Sequence, residues 1–230
     1  MKQYVPDYRV TKALGLLVEQ ISKHWRLVDA VLPQSNPLVV LDDVNLEAFF
    51  ALPAGKSERL QAVWRMIQRA RIAFGALRIG KRALHKRMNS FRQLMMSYWQ
   101  ATPLFSALPL LPEVKAGADE FLGPMRGAML VWEDVVASPP PVPGQNGALV
   151  DGYSAADFAA ELAGVESLWR AFYRAEQRVA IARGELLIFY RHAAAAVAAY
   201  GHGARSRLAP GHELLASIPR LWRKKKVGKG

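Results

Sequence analysis

Residues 56–102 read KSERLQAVWRMIQRARIAFGALRIGKRALHKRMNSFRQLMMSYWQAT, and the placing of their apolar side chains decides the fold class. Leu60, Val63, Ile67, Ala70, Phe74, Leu77, Lys81, Leu84, Met88, Phe91 and Met95 step by alternating intervals of three and four. Side chains so spaced share one side of an α-helix. Shifted by 105, the steps recur as Val165, Leu168, Phe172, Ala175, Val179, Ala182, Leu186, Phe189, Ala193, Ala196 and Tyr200. At that offset Trp64/Trp169, Arg65/Arg170, Arg69/Arg174, Ala70/Ala175 and Arg78/Arg183 are identical. Two copies of one long amphipathic helix are the expectation.

The first copy is expected to begin after Pro53-Ala54-Gly55, with Ser57 as its cap, and to end at Thr102 before Pro103. Its roughly 46 residues would extend about 70 Å. Gly75 and Gly80 lie inside it, each costing about 1 kcal/mol of helix propensity against alanine, and so mark a bend or a close contact. The second copy is expected to follow Ser154, a good cap, and to end near Gly201.

Around these helices the spacing predicts a shorter helix from about Tyr8 to Leu32, capped by Asp7 and ended by Pro33 and Pro37. Another runs over about 118–137. Trp132 and Val135 stand 107 positions after Trp25 and Val28. Leu104 to Val114 is a proline-punctuated apolar segment expected to pack across the end of the bundle. The stretch from Leu38 to Leu41 could be extended, but one isolated strand has no partner and no sheet is predicted. Ser138-Pro-Pro-Pro-Val-Pro-Gly-Gln-Asn-Gly147 reads as an exposed linker.

The expected fold is therefore all-α: two tandem helical hairpins related by internal duplication, each with one long helix, packed as an elongated four-helix bundle. Residues 1–137 form the first hairpin unit and 138–150 the linker. Residues 151–222 hold the second long helix with its proline-punctuated end, and 223–230 form a basic tail. The alanine run Ala193–Ala196 with Ala198-Ala199 permits close approach of a neighbour.

Charge is the second strong feature. Across 230 residues, 31 Lys and Arg against 19 Asp and Glu give +12. From Lys56 to Arg92 stand eleven bases and only Glu58 as an acid, and Arg220 to Lys229 adds six bases without an acid. Such concentration favours an anionic partner, whether nucleic acid, an acidic protein face or a membrane surface. With no cysteine, disulfides, thiolate zinc sites and cysteine nucleophiles are excluded. The N-terminus has no apolar run of the secretory kind, and no segment reaches the roughly 18 uninterrupted apolar residues that span a bilayer. A soluble cytoplasmic protein is expected.

Steps of seven along the first long helix give Trp64, Arg71, Arg78, His85, Arg92 and Trp99, a stripe of cations with an indole at each end. That chemistry suits phosphate contacts and ring stacking. The structural alternative is that arginine stems cover apolar surface while their guanidinium groups pair with Glu161, Glu166, Glu176 and Glu185. Arg223, Lys224, Lys225 and Lys226 of the tail are further anion-binding candidates. Lys81, in a core-type position, must reach solvent or meet a carboxylate.

No catalytic, cofactor or metal residues are assigned. The histidines His24, His85, His192, His202 and His212 lack the Glu-x-x-His and His-Glu-x-x-His spacings, and no glycine-rich phosphate loop or Gly-x-Ser-x-Gly elbow occurs. The expected function is a non-enzymatic helical scaffold or assembly subunit that binds a protein partner or itself. The alternative is a nucleic-acid-binding protein that contacts phosphates through the basic helix and tail.

Overall fold

The computed structural model describes residues 8–33, 38–40, 44, 46–144, 147 and 149–219, so that the Asp7 cap and the basic tail fall outside them. Six helices follow in order: α1 Tyr8–Val31, α2 Leu46–Tyr98, α3 Pro103–Ala107, α4 Ala118–Ala137, α5 Ala155–Arg207 and α6 Glu213–Ala216. Among the described residues, extended pairing is confined to two isolated antiparallel bridges, Val40 with Val44 and Val150 with Tyr153. The fold is all-α.

Both long helices are longer than expected, although α2 stops at Tyr98, before the expected end at Thr102. Helix α2 starts at Leu46 and runs through Pro53, although a proline there removes one intrahelical hydrogen bond at a cost of about 3 kcal/mol. One turn earlier Phe49 is fully buried with its ring 5.5 Å from that of Trp25. Burying a phenylalanine contributes about 1.5–3 kcal/mol, and its pairing with Trp25 about 0.5–1.5 kcal/mol more, together comparable to the cost of Pro53. Helix α5 starts as expected: Ser154 Oγ accepts from Asp157 N–H at 3.2 Å, and Asp157 Oδ2 accepts from Ser154 N–H at 2.9 Å. It continues past Gly201 to Arg207. Gly203 is needed there, because a Cβ would come 3.2 Å from Leu38 Cδ1.

The chain forms two compact units, Met1–Trp64 with Ile181–Gly230, and Arg65–Ala180. In the second unit the C-terminal part of α2, α4 and the N-terminal part of α5 enclose one core. Trp132 lies at its centre, stacked on Phe91 at 4.4 Å and 5° and set 5.7 Å from Phe158. The long helices pack directly together here, with Phe74 5.4 Å from Phe172. Gly80 makes the close contact, since a Cβ on it would sit 3.1 Å from Leu168 Cδ1 and 3.2 Å from Val165 Cγ2. The segment after α2 covers this core through Leu108, Leu104, Phe105 and Leu111. Residues 139–144 of the linker after α4 are exposed as expected, whereas Gly147 is buried, and its carbonyl accepts from Trp132 Nε1–H at 2.9 Å.

In the first unit α1, the N-terminal part of α2 and the C-terminal part of α5 enclose the other core. Trp25 stacks on Tyr200 at 4.9 Å. Ala193, Ala196 and Ala204 are fully buried around it, as the alanine run suggested. Buried His24 adds a polar tie: its Nε2–H donates to the Leu214 carbonyl at 2.8 Å, and its Nδ1 accepts from the Tyr200 hydroxyl at 2.6 Å. The carbonyl accepts only, so the proton resides on Nε2.

Helices α2 and α5 have 53 residues each. Their first and last residues correspond at an offset of 109, where buried positions pair as Phe49/Phe158, Leu77/Leu186, Leu84/Ala193, Met88/Val197, Phe91/Tyr200 and Met95/Ala204, while the offset of 105 also pairs buried Leu77/Ala182, Met88/Ala193, Phe91/Ala196 and Met95/Tyr200. The two offsets differ by four residues, about one turn. Hydrophobic periodicity is almost blind to that slip, because either offset lays one apolar face on the other.

Gly147 adopts φ +68°, and a Cβ there would lie 2.5 Å from Val135 Cγ1. Gly147→Ala is expected to lower unfolding free energy in urea by about 1–3 kcal/mol through backbone strain and overpacking; a loss under about 0.5 kcal/mol contradicts this packing.

Burial, with Asp29 nearby, pushes the Tyr200 phenol above its ordinary 10.0. The unfolded chain therefore loses that proton first as pH rises past about 10, so the Tyr200 contribution is complete below that pH and declines above it. Tyr200→Phe is expected to flatten the alkaline fall of the melting temperature; an unchanged slope contradicts the assignment.

Candidate anion-binding surface

The inward side of α2 is taken up by the cores, which leaves its charged residues outside. Arg65, Arg69, Arg71, Arg78, Arg82 and Lys86 are exposed, with Gln68 and Asn89 beside them. No acid stands on α2 after Glu58. Two ion pairs of the described residues, Lys23 with Glu19 and Arg126 with Glu166, at 2.8 and 2.7 Å, use none of these six exposed bases. Of the glutamates considered as partners for the arginine stripe, Glu161 instead accepts from the Tyr153 hydroxyl and Glu166 is held by Arg126. Glu176 and Glu185 are exposed. The outward cations of α2 thus face solvent without local neutralisation.

The seven-step stripe is not one surface. Trp64 is 58% exposed and Trp99 only 2%. Seven residues drift about 20° from two full turns, so five steps rotate the series by about 100° around the helix. Arg71 and Arg78 stay outside, and His85 and Arg92 are half-buried. Arg92 Nη1 donates to the Pro109 carbonyl at 3.0 Å and ties the covering segment to α2. The stripe therefore contributes Trp64, Arg71 and Arg78 to the exposed face, while Trp99 joins the core. Arg223, Lys224, Lys225 and Lys226 lie outside the described residues.

Lys81 resolves differently from either expectation. It is 5% exposed and meets no carboxylate. Its Nζ donates to the Ala116 carbonyl at 2.7 Å and rests 4.5 Å from the Phe121 ring centre and 4.4 Å from that of Trp169. Burial lowers its pKa from the ordinary 10.5. This ammonium is part of the packing of the second unit and is not available to a ligand. Arg87 is likewise engaged, lying over the Tyr153 ring at 4.2 Å.

The offset of 109 exposes a signal that periodicity had hidden. Arg65-x-x-Gln68-Arg69-x-x-Ile72-Ala73-x-Gly75-x-Leu77-x-Ile79-x-x-Arg82 recurs as Arg174-x-x-Gln177-Arg178-x-x-Ile181-Ala182-x-Gly184-x-Leu186-x-Ile188-x-x-Arg191. Leu77 and Leu186 are buried, but both arginine pairs, both glutamines, both isoleucine pairs and the closing arginines are exposed. Ile72, Ile79, Ile181 and Ile188 are 71, 69, 62 and 66% exposed. Core packing does not account for such identity at surface positions. Matching residue identities at every offset, instead of matching apolar steps, would have found it in the sequence.

Elsewhere the surface offers less. An open hollow of about 600 Å³ borders Arg26, Asp29, Glu47 and Phe50, where both signs of charge offset each other. Among the described residues no three His, Asp or Glu side chains come together as metal ligands, and no helix is long and apolar enough to cross a membrane. Comparison with protein-family models, curated proteins and solved structures finds no match.

A cation held on two aromatic faces away from water is worth about 2 kcal/mol. A double-mutant cycle of Lys81→Met and Trp169→Leu in urea unfolding is expected to show coupling of about 1–2 kcal/mol. Additive effects within about 0.3 kcal/mol contradict the contact.

Proposed function

We propose that this chain is a non-enzymatic helical interaction subunit that engages an anionic partner through the outward face of α2, and that its two halves descend from one duplicated helical unit. The carrying observation is the exposed set Arg65, Arg69, Arg71, Arg78, Arg82 and Lys86 on α2, whose side chains face solvent outside the ion pairs Lys23–Glu19 and Arg126–Glu166. Uncompensated positive charge is of little use to the fold and attracts an oppositely charged surface. The duplication is supported by two helices of equal length and by the repeated surface residues. Assembly of the helices as a four-helix bundle, and self-association through faces left open, belong to the same reading. Cytoplasmic location is part of it, and the absence of cysteine is compatible with that reducing compartment.

The second reading is a nucleic-acid-binding protein that contacts phosphates. Six outward bases on one helix favour it, and the basic tail would extend the contact. The two are separated by what the face binds besides charge.

Binding of labelled polyglutamate and of labelled single-stranded DNA tests both, measured at about 50 and 200 mM salt. The native chain is expected to bind at least one polyanion at the lower salt. Replacing Arg71, Arg78 and Arg82 by Ala should reduce the salt slope by about three, one for each lost contact. DNA bound tenfold or more above polyglutamate moves the conclusion to the second reading; no binding of either at low salt overturns both.

A further inference from the structure

The repeated surface motif has features that a simple polyanion site does not need. Arg65, Ile72, Ile79 and Lys86 are spaced by sevens, as are Arg174, Ile181 and Ile188. Each pair of isoleucines is therefore a pair of apolar knobs about 10.5 Å apart along its helix. Between the knobs stand Gly75 in α2 and Gly184 in α5, and a Cβ added to either would meet nothing within 4 Å. A mid-helix glycine costs about 1 kcal/mol. Gly80 repays that cost within the fold by admitting α5. Gly75 and Gly184 do not, yet they occupy the same place in both repeats.

An apolar ridge with a notch at its middle, flanked by arginines and a glutamine, has the form that receives a helix from outside. The notch lets another backbone come close, the isoleucines pack on either side of it, and the arginines reach acids on the flanks. Phosphate backbones do not reward exposed isoleucines or a glycine notch, which sets nucleic acid behind. A second copy of the same face would bring Arg65, Arg69 and Arg82 against like charges, a penalty in an interface.

We infer that the outward face formed by Arg65, Arg69, Ile72, Gly75, Ile79 and Arg82, and its repeat on α5, is a docking surface for an acidic amphipathic α-helix of a partner protein. This inference rests on the anionic-partner reading above and specifies its chemistry. Each motif docks one such helix, with its apolar seam on the isoleucines and its Glu or Asp flanks on the arginines.

The test uses the full chain and a labelled synthetic peptide of about four heptads, with Leu and Ala on its seam and Glu at the flanking positions. Fluorescence anisotropy at about 150 mM salt, where long-range attraction is screened, is expected to show binding of this peptide above that of polyglutamate or DNA of equal charge. Ile72→Ser with Ile181→Ser should weaken it about tenfold or more. Gly75→Leu with Gly184→Leu should do the same without lowering the melting temperature, because the native chain has no neighbour there and leucine is the better helix former. Peptide binding that ignores these substitutions, or its absence, overturns the inference. So does self-association in light scattering that Ile72→Ser and Ile181→Ser abolish, which would make a second copy the occupant. Polyanion binding without peptide binding leaves the broader functional reading standing; loss of both removes it as well.

Discussion

Each unit of this protein depends on a tryptophan held between pieces of chain that are remote in sequence. Trp132, on the shorter helix of its unit, lies flat on Phe91 from α2 and against Phe158 from α5, and its indole N–H secures the end of the linker through Gly147. Trp25 does the equivalent work between Tyr200 and Phe49. Aromatic pairs of this kind add about 0.5–1.5 kcal/mol to the burial of the rings themselves. They also select the register, because only one turn of each long helix brings the right ring to the indole.

That constraint sorts the side chains of the long helices into two sets. Inward positions differ between α2 and α5, with Leu84, Met88 and Met95 matched at the offset of 109 by Ala193, Val197 and Ala204. Cores tolerate such exchange when neighbours compensate. Several outward positions in the middle of both helices are identical, although solvent would accept almost any polar residue there. Packing leaves those positions free, and the identity of Arg65 with Arg174, Ile72 with Ile181 and Arg82 with Arg191 is the ground on which the proposed docking surface rests. Buried Lys81 shows the contrast: its charge is absorbed by Phe121, Trp169 and the Ala116 carbonyl.

Helical periodicity made the all-α class and the two long helices legible before any coordinates. It misjudged what depends on tertiary contacts. The start of α2 was hidden by Pro53, which local rules treat as a helix stop but which the burial of Phe49 overrides. The surface identities at the offset of 109 stayed hidden behind the apolar match at 105, since a slip of one turn preserves the apolar face. A seven-residue stripe was read as one surface, although its drift carries it from exposed Trp64 to buried Trp99. The grouping of half of each long helix into each unit had no signal in the spacing, because periodicity reports which side of a helix is apolar and not which neighbour covers it. The exposed cations of α2 were legible as a concentration of charge; only the geometry showed that Glu161 and Glu166 of α5 are otherwise engaged.

The most direct check on the central claim is hydrogen exchange of a Trp132→Leu variant, followed by mass spectrometry. If the indole joins both long helices to α4, protection should fall together around Phe91 in α2, around Phe158 in α5 and along α4, more than about tenfold in each. Loss confined to α4, with the α2 and α5 segments unchanged, would contradict the account.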